Sequence, residues 1–198
     1  SQPLCTAAGA TRLDAAAVLE DTENPFLADF YNARPGAALQ AQLFYLLNRH
    51  RQQLTLRQGD LFAQATVSDY LFDKDKIFAY LNLDDNQLFI YQRPSDLPPK
   101  DAAAPDLVIY LQAPPDTLAR RLRDRAMHDE PATPDPGPDY LRELNEAYQH
   151  FFFHYTATPL LVVETSHVDL AGSDQAHDDL IKQVQDMGKG TRYYVPRN

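Results

Sequence analysis

Four short apolar runs, at 15–19, 61–67, 106–111 and 159–163, recur through the chain, each too brief to be the core of a helix. They are continuous or nearly continuous in apolar residues rather than alternating, the pattern of parallel strands covered on both faces. The intervals carry a helical period instead. Between 37 and 54, Leu39, Leu43, Leu46, Leu47 and Leu54 fall on one stripe; between 140 and 155, Leu141, Leu144, Tyr148, Phe151, Phe152 and Tyr155 do the same. Shorter helices are predicted at 75–81, 115–125 and 174–187. Strands alternating with helices of this length define an α/β fold with a parallel sheet and helices on both faces. A chain of 198 residues suits one domain over 1–198, and no internal repeat divides it.

Two proline-rich segments interrupt the pattern. One, from 93 to 104, reads as a loop leading into the third apolar run. The other, from 130 to 138, cannot be helical because proline lacks the N–H donor and clashes with the preceding turn. It follows the arginine-rich stretch 120–125, so a mobile lid over about 120–138 stands beside the plain alternative of a solvated helix end. The last segment, 188–198, is expected to be an extended tail able to pair with a sheet edge or with a partner.

Charge narrows the partners. With 28 acidic against 18 basic residues the net charge is −10, which repels nucleic-acid phosphates. No run of 18 apolar residues exists to insert into a membrane. Cys5 is the only cysteine, which excludes an internal disulfide and favours a reducing compartment, and the first residues lack a secretory pattern. The expectation is an intracellular protein, cytoplasmic or mitochondrial. His150 and His154, four apart on a helix, could hold a metal only with a third ligand and read instead as flanks of the aromatic stripe; no metal site is expected.

Six segments, in order, carry a resemblance. They are Glu20 with ENPFLADFY (23–31), QLFYLLNRHR (42–51), SDYLFDKDKIFA (68–79), PDLVIYL (105–111), the arginine-rich 120–125, and the stripe from Tyr140 through Tyr148 to Tyr155. Together the chain resembles the deoxynucleoside kinases over about residues 17–165. The resemblance implies a kinase-like fold and a deoxynucleoside pocket. Glu20 matches the carboxylate that takes the proton from the 5′-hydroxyl, and the carboxyl end of a parallel strand is where such a base belongs; the alternative is a turn cap. Tyr31 and Glu130 match the pair that holds the sugar 3′-hydroxyl. Gln42 matches the residue pairing with the base edge, for which an amide offers both donor and acceptor. Arg49 matches a residue reaching toward the base. Independently of any family, Gln42, Tyr45 and Arg49 share one helix face by their spacing. Arg121 and Arg125 match lid arginines that grip the transferred phosphates.

The departures lie on the phosphate side. The family opens with a strand and a glycine-rich loop ending Gly-Lys-Ser/Thr, whose backbone donors hold phosphate and whose hydroxyl holds Mg²⁺. Nothing in these 198 residues resembles it; the chain starts where that loop would finish, so the usual first strand and phosphate loop are expected to be missing. The Asp/Glu-Arg-Ser/Thr triplet of many members is Ser68-Asp69-Tyr70, without its arginine, leaving Asp69 as a Mg²⁺ or water partner. A third lid arginine is Met127. Two functional expectations follow. One is phosphoryl transfer from ATP with Mg²⁺ to a deoxynucleoside 5′-hydroxyl, for which the chain as given is not competent. The other is a pseudoenzyme without cofactors, a structural, assembly or nucleoside-sensing subunit, as a homodimer or within a larger complex.

Overall fold

A computed structural model describes residues 2–19, 23–57, 65–95, 104–126, 136–168, 170 and 172–196. In chain order the elements are α1 (Gln2–Arg12), β1 (Ala16–Val18), α2 (Leu27–Tyr31), α3 (Ala37–Arg57), β2 (Thr66–Ser68), a 3₁₀ turn at Phe72–Lys74, α4 (Asp75–Asn82), α5 (Asp85–Ser95), β3 (Val108–Gln112), α6 (Pro115–Ala126), α7 (Pro138–Phe153), β4 (Leu160–Glu164), α8 (Asp174–Gln185) and β5 (Thr191–Tyr194). Every strand pairing is parallel, as continuous apolar runs require.

The period-two geometry of β3 and β4 sets up the two halves of their core. Val108 and Tyr110 on β3, with Leu160 and Val162 on β4, pack against Phe152 of α7 and the following Tyr155. Leu161 and Val163 point the other way, joining Ala176 and Leu180 of α8, with Leu107 and Leu111 alongside. Helices thus cover both faces of this sheet. On α7 the aromatic stripe stacks directly on the strand: the Tyr110 and Phe152 ring centroids lie 4.2 Å apart with the ring planes nearly parallel. A third cluster forms where α3, α4 and α5 meet, around Leu46, Ala79, Leu83 and Tyr91.

Four expectations are corrected. The single sheet is two among the described residues: β1–β2, and β3–β4–β5. The ladder stops between β2 and β3, which neither pair with each other nor share a described strand. Arg12, at the end of α1, spans toward the other layer by bonding Asp174 and Asp178 of α8 at 2.5 and 2.8 Å. Second, β1 and β2 are not covered on both faces. Ala17, Thr66 and Ser68 are exposed, because short, small or hydroxylated side chains leave little for a helix to bury. Third, the loop assigned to 93–104 starts late: Arg93, Pro94 and Ser95 finish α5, and 96–103 lie outside the described residues. Burial of Tyr91 against α3 and α4 holds the last turn of that helix despite the proline. Fourth, Pro138 is not loop but the first residue of α7, where its missing N–H would have no partner in any case. It follows Gly137 at φ +82°, a left-handed backbone that glycine supplies without steric cost.

The expected tail is settled in favour of an edge within the chain: Thr191–Tyr194 forms β5 alongside β4, Leu160 opposite Thr191. No helix among the described residues is long and apolar enough to cross a membrane.

Candidate functional site

The face of α3 predicted from spacing exists and is buried. Gln42 is 7% exposed and Arg49 3%. Among the described residues the enclosed Gln42 side-chain oxygen meets no hydrogen-bond donor, which a buried amide ordinarily finds. Arg49 has a counter-ion that the sequence reading did not single out. Asp75, the first residue of α4 and 2% exposed, accepts from Arg49 Nη1 on Oδ1 and from the Tyr91 hydroxyl on Oδ2 at 2.8 Å. The guanidinium also lies over the Tyr45 ring, 5.5 Å from its centroid. Three helices therefore join through one buried charge pair.

Tyr31 ends α2, which packs on α3. Its neighbour Phe30 touches Tyr31 with ring centroids 5.1 Å apart and Tyr140 of α7 at 6.2 Å. Burial raises the pKa of Tyr31 above the ordinary phenol value, so its hydroxyl stays protonated at neutral pH. Asp69 follows β2, buried, its N–H donating to Val18 O at 3.3 Å, so it sits beside the carboxyl end of β1. Gln52, farther along α3, reaches the same end, Nε2 donating to Leu19 O at 2.9 Å. Glu20 and Glu130, and the side chain of Arg125, lie outside the described residues.

Arg121 faces elsewhere. Nη1 donates to Thr165 Oγ1 at 3.0 Å, and Nη2 to the Thr165 and Val168 carbonyls, the second at 3.2 Å. Three of its five N–H groups therefore clamp α6 to the turn after β4, leaving two for any phosphate. His150 and His154 are exposed at the end of α7, with His154 Nδ1 donating to the His150 carbonyl at 2.9 Å.

Sequence reasoning missed Asp75, Tyr91 and the Asn82–Tyr140 contact. A signal existed for Asp75: Arg49 lies on a helix face beside the apolar stripe, and a cation buried there needs an anion. Burial also raises Tyr91 and Tyr110 to about 12; Arg49 opposes the first shift and Glu164 adds to the second. Because the folded state holds these protons more tightly than the unfolded chain, stability is expected to fall as pH climbs from about 10 toward 12. A fluorescence-detected unfolding series in that window checks it. Unchanged stability up to pH 12 would contradict the burial of both phenols.

A parallel α/β core carrying a buried polar helix face at one side defines a nucleoside-kinase type of architecture. The family model described as deoxynucleoside kinase matches residues 12–188, and the chain belongs to that family. It is 25% identical to a deoxyadenosine kinase of Lactobacillus acidophilus over 153 residues, 72% of this chain and 70% of that protein. A deoxyguanosine kinase of Bacillus subtilis is 29% identical over 137 residues, 67% and 62% of the two chains. In fold, the chain is similar to the deoxyadenosine kinase of M. mycoides solved with bound dATP, at a TM-score of 0.72 and 20% identity over 93% of each chain.

Proposed function

We propose that this chain binds a deoxynucleoside through the nucleoside side of the kinase fold. The observation that carries the reading is Gln42, an amide buried on α3 whose oxygen meets no donor among the described residues, on the face it shares with Arg49. A base edge presenting a donor would complete it. Tyr31 would hold the sugar 3′-hydroxyl together with Glu130, and Glu20 would take the proton of the 5′-hydroxyl. Asp69, beside the end of β1, would orient water or the reacting end. Arg125, with the two remaining donors of Arg121, would meet phosphate.

In this family a nucleoside triphosphate with Mg²⁺ supplies the transferred phosphoryl group. Mg²⁺ beside a nucleotide usually takes one or two carboxylates with phosphate oxygens and water, so Asp69 alone would be its protein ligand, while three of the Arg121 N–H groups are taken by Thr165 and Val168. What the chain's own residues do is enclose the nucleoside, read its base and sugar, and hold the 5′-hydroxyl proton at Glu20. The second reading, a kinase fold kept for a structural, sensing or assembly role, is favoured by the clamp that Arg121 makes. Exposed Leu47 on α3 and Phe89 and Ile90 on α5, two helices in contact, would suit a second copy or a larger assembly.

The test is calorimetry with the common deoxynucleosides on the wild type and on Gln42→Ala. The variant is expected to lose about 1–3 kcal/mol of nucleoside binding with little change in folding. A wild type that binds none of them refutes the binding reading and leaves the scaffold role.

A further inference from the structure

Tyr140 has no part in the nucleoside site as proposed, yet its hydroxyl is fixed on one side by a hydrogen bond. Tyr140 is the third residue of α7, and its oxygen accepts a hydrogen bond from Asn82 Nδ2 at 3.1 Å. Asn82 ends α4, and the same nitrogen donates to the Phe78 carbonyl at 2.8 Å. A carbonyl can only accept, so the Asn82 amide can be turned only one way, and both of its N–H groups are committed. The Tyr140 oxygen is therefore the acceptor in that bond. Its own proton must point elsewhere, and among the described residues it meets no acceptor.

A second hydroxyl lies close by. Tyr31 makes no hydrogen bond to any described residue, and its phenol is near enough to Tyr140 that ionising one would oppose ionising the other. Phe30 touches both rings, 5.1 Å from Tyr31 and 6.2 Å from Tyr140, and so spaces them. Burial keeps both phenols protonated at neutral pH, although the Asn82 bond works slightly against this at Tyr140. Two half-buried O–H donors thus stand at the junction of α2, α4 and α7, and among the described residues no acceptor meets either. An alcohol oxygen has two lone pairs and can take both.

We propose that Tyr140 is a second substrate-contacting hydroxyl of the nucleoside cleft, its O–H turned by Asn82 toward the same sugar hydroxyl that Tyr31 holds. The inference rests on the nucleoside-binding reading and adds a specificity to it: selection for ligands that carry the 3′-hydroxyl. Asn82 acts through Tyr140 and is a positioning residue. Its distance in sequence from both tyrosines explains why spacing alone could not assign it.

The experiment is a calorimetric cycle between protein hydroxyl and ligand hydroxyl. Deoxynucleosides and their 2′,3′-dideoxy counterparts are titrated into wild type, Tyr140→Phe and Asn82→Leu, with thermal midpoints recorded alongside. Tyr140→Phe keeps the ring and its packing on Phe30, and is expected to weaken deoxynucleoside binding about tenfold. It should leave dideoxynucleoside binding unchanged, which a merely structural role would not do. Asn82→Leu should show a smaller loss with the same selectivity, and it keeps the test open should the first variant fail to fold. Equal affinity of wild type and Tyr140→Phe for a deoxynucleoside, or an equal loss for both ligand classes, overturns the proposal while leaving the binding reading intact. A wild type that binds neither class overturns both.

Discussion

Asp75→Ala should destabilise the fold by about 3–5 kcal/mol, the usual cost of leaving one partner of a buried ion pair without the other. The carboxylate is 2% exposed and takes the Arg49 guanidinium on one oxygen and the Tyr91 hydroxyl on the other. Removing it strands a cation inside the α3–α4–α5 junction, and the ring of Tyr45, 5.5 Å from the guanidinium carbon, returns only part of the loss. The contrast is informative. Arg49→Leu with Asp75→Leu removes both charges together and should cost far less, because a buried pair is expensive to break yet weakly stabilising as a whole. Urea denaturation of the single and double variants gives both numbers. A single variant within 1 kcal/mol of wild type would mean that the pair is solvated rather than buried.

Leu161→Ala is expected to cost about 2–5 kcal/mol through lost burial and the cavity it leaves. Leu161, the second residue of β4, is 0% exposed and faces α8, and its neighbours Val163 and Leu180 cannot collapse into the space without moving a strand held in ladders on both sides. Leu47→Ala is the control, since that leucine is 59% exposed on α3 and should change stability by only a few tenths of a kcal/mol. Denaturant midpoints at constant slope measure the difference. Equal midpoints for the two variants would place the core elsewhere than between β4 and α8.

The Asp84–Gln87 pair shows a signal that was present and not used. Asp84 accepts from the Gln87 N–H at 2.9 Å and Gln87 returns a bond to the Asp84 N–H at 3.2 Å, a reciprocal cap that announces α5. Reading it would have marked the start of α5 at Asp85, a helix the apolar period did not predict. Much of the candidate site was legible in the same local way. Gln42 and Arg49 share a face because seven residues make nearly two helical turns, whatever packs against them.

By itself the sequence determined the local periods. The apolar runs of β3 and β4, and the stripes of α3, α6, α7 and α8, come from side-chain spacing that no long-range contact is needed to reveal. Parallel pairing followed from the continuity of those runs. Only the tertiary structure decided which charges meet. Arg49 and Asp75 are 26 residues apart and Arg121 and Thr165 are 44 apart, so nothing local links them; the pairs exist because burial forces each polar group to find whichever complement the packed helices bring within reach. The interruption of the sheet between β2 and β3 has the same origin, since a strand's edge is satisfied by what lies beside it in space and not by what precedes it in the chain.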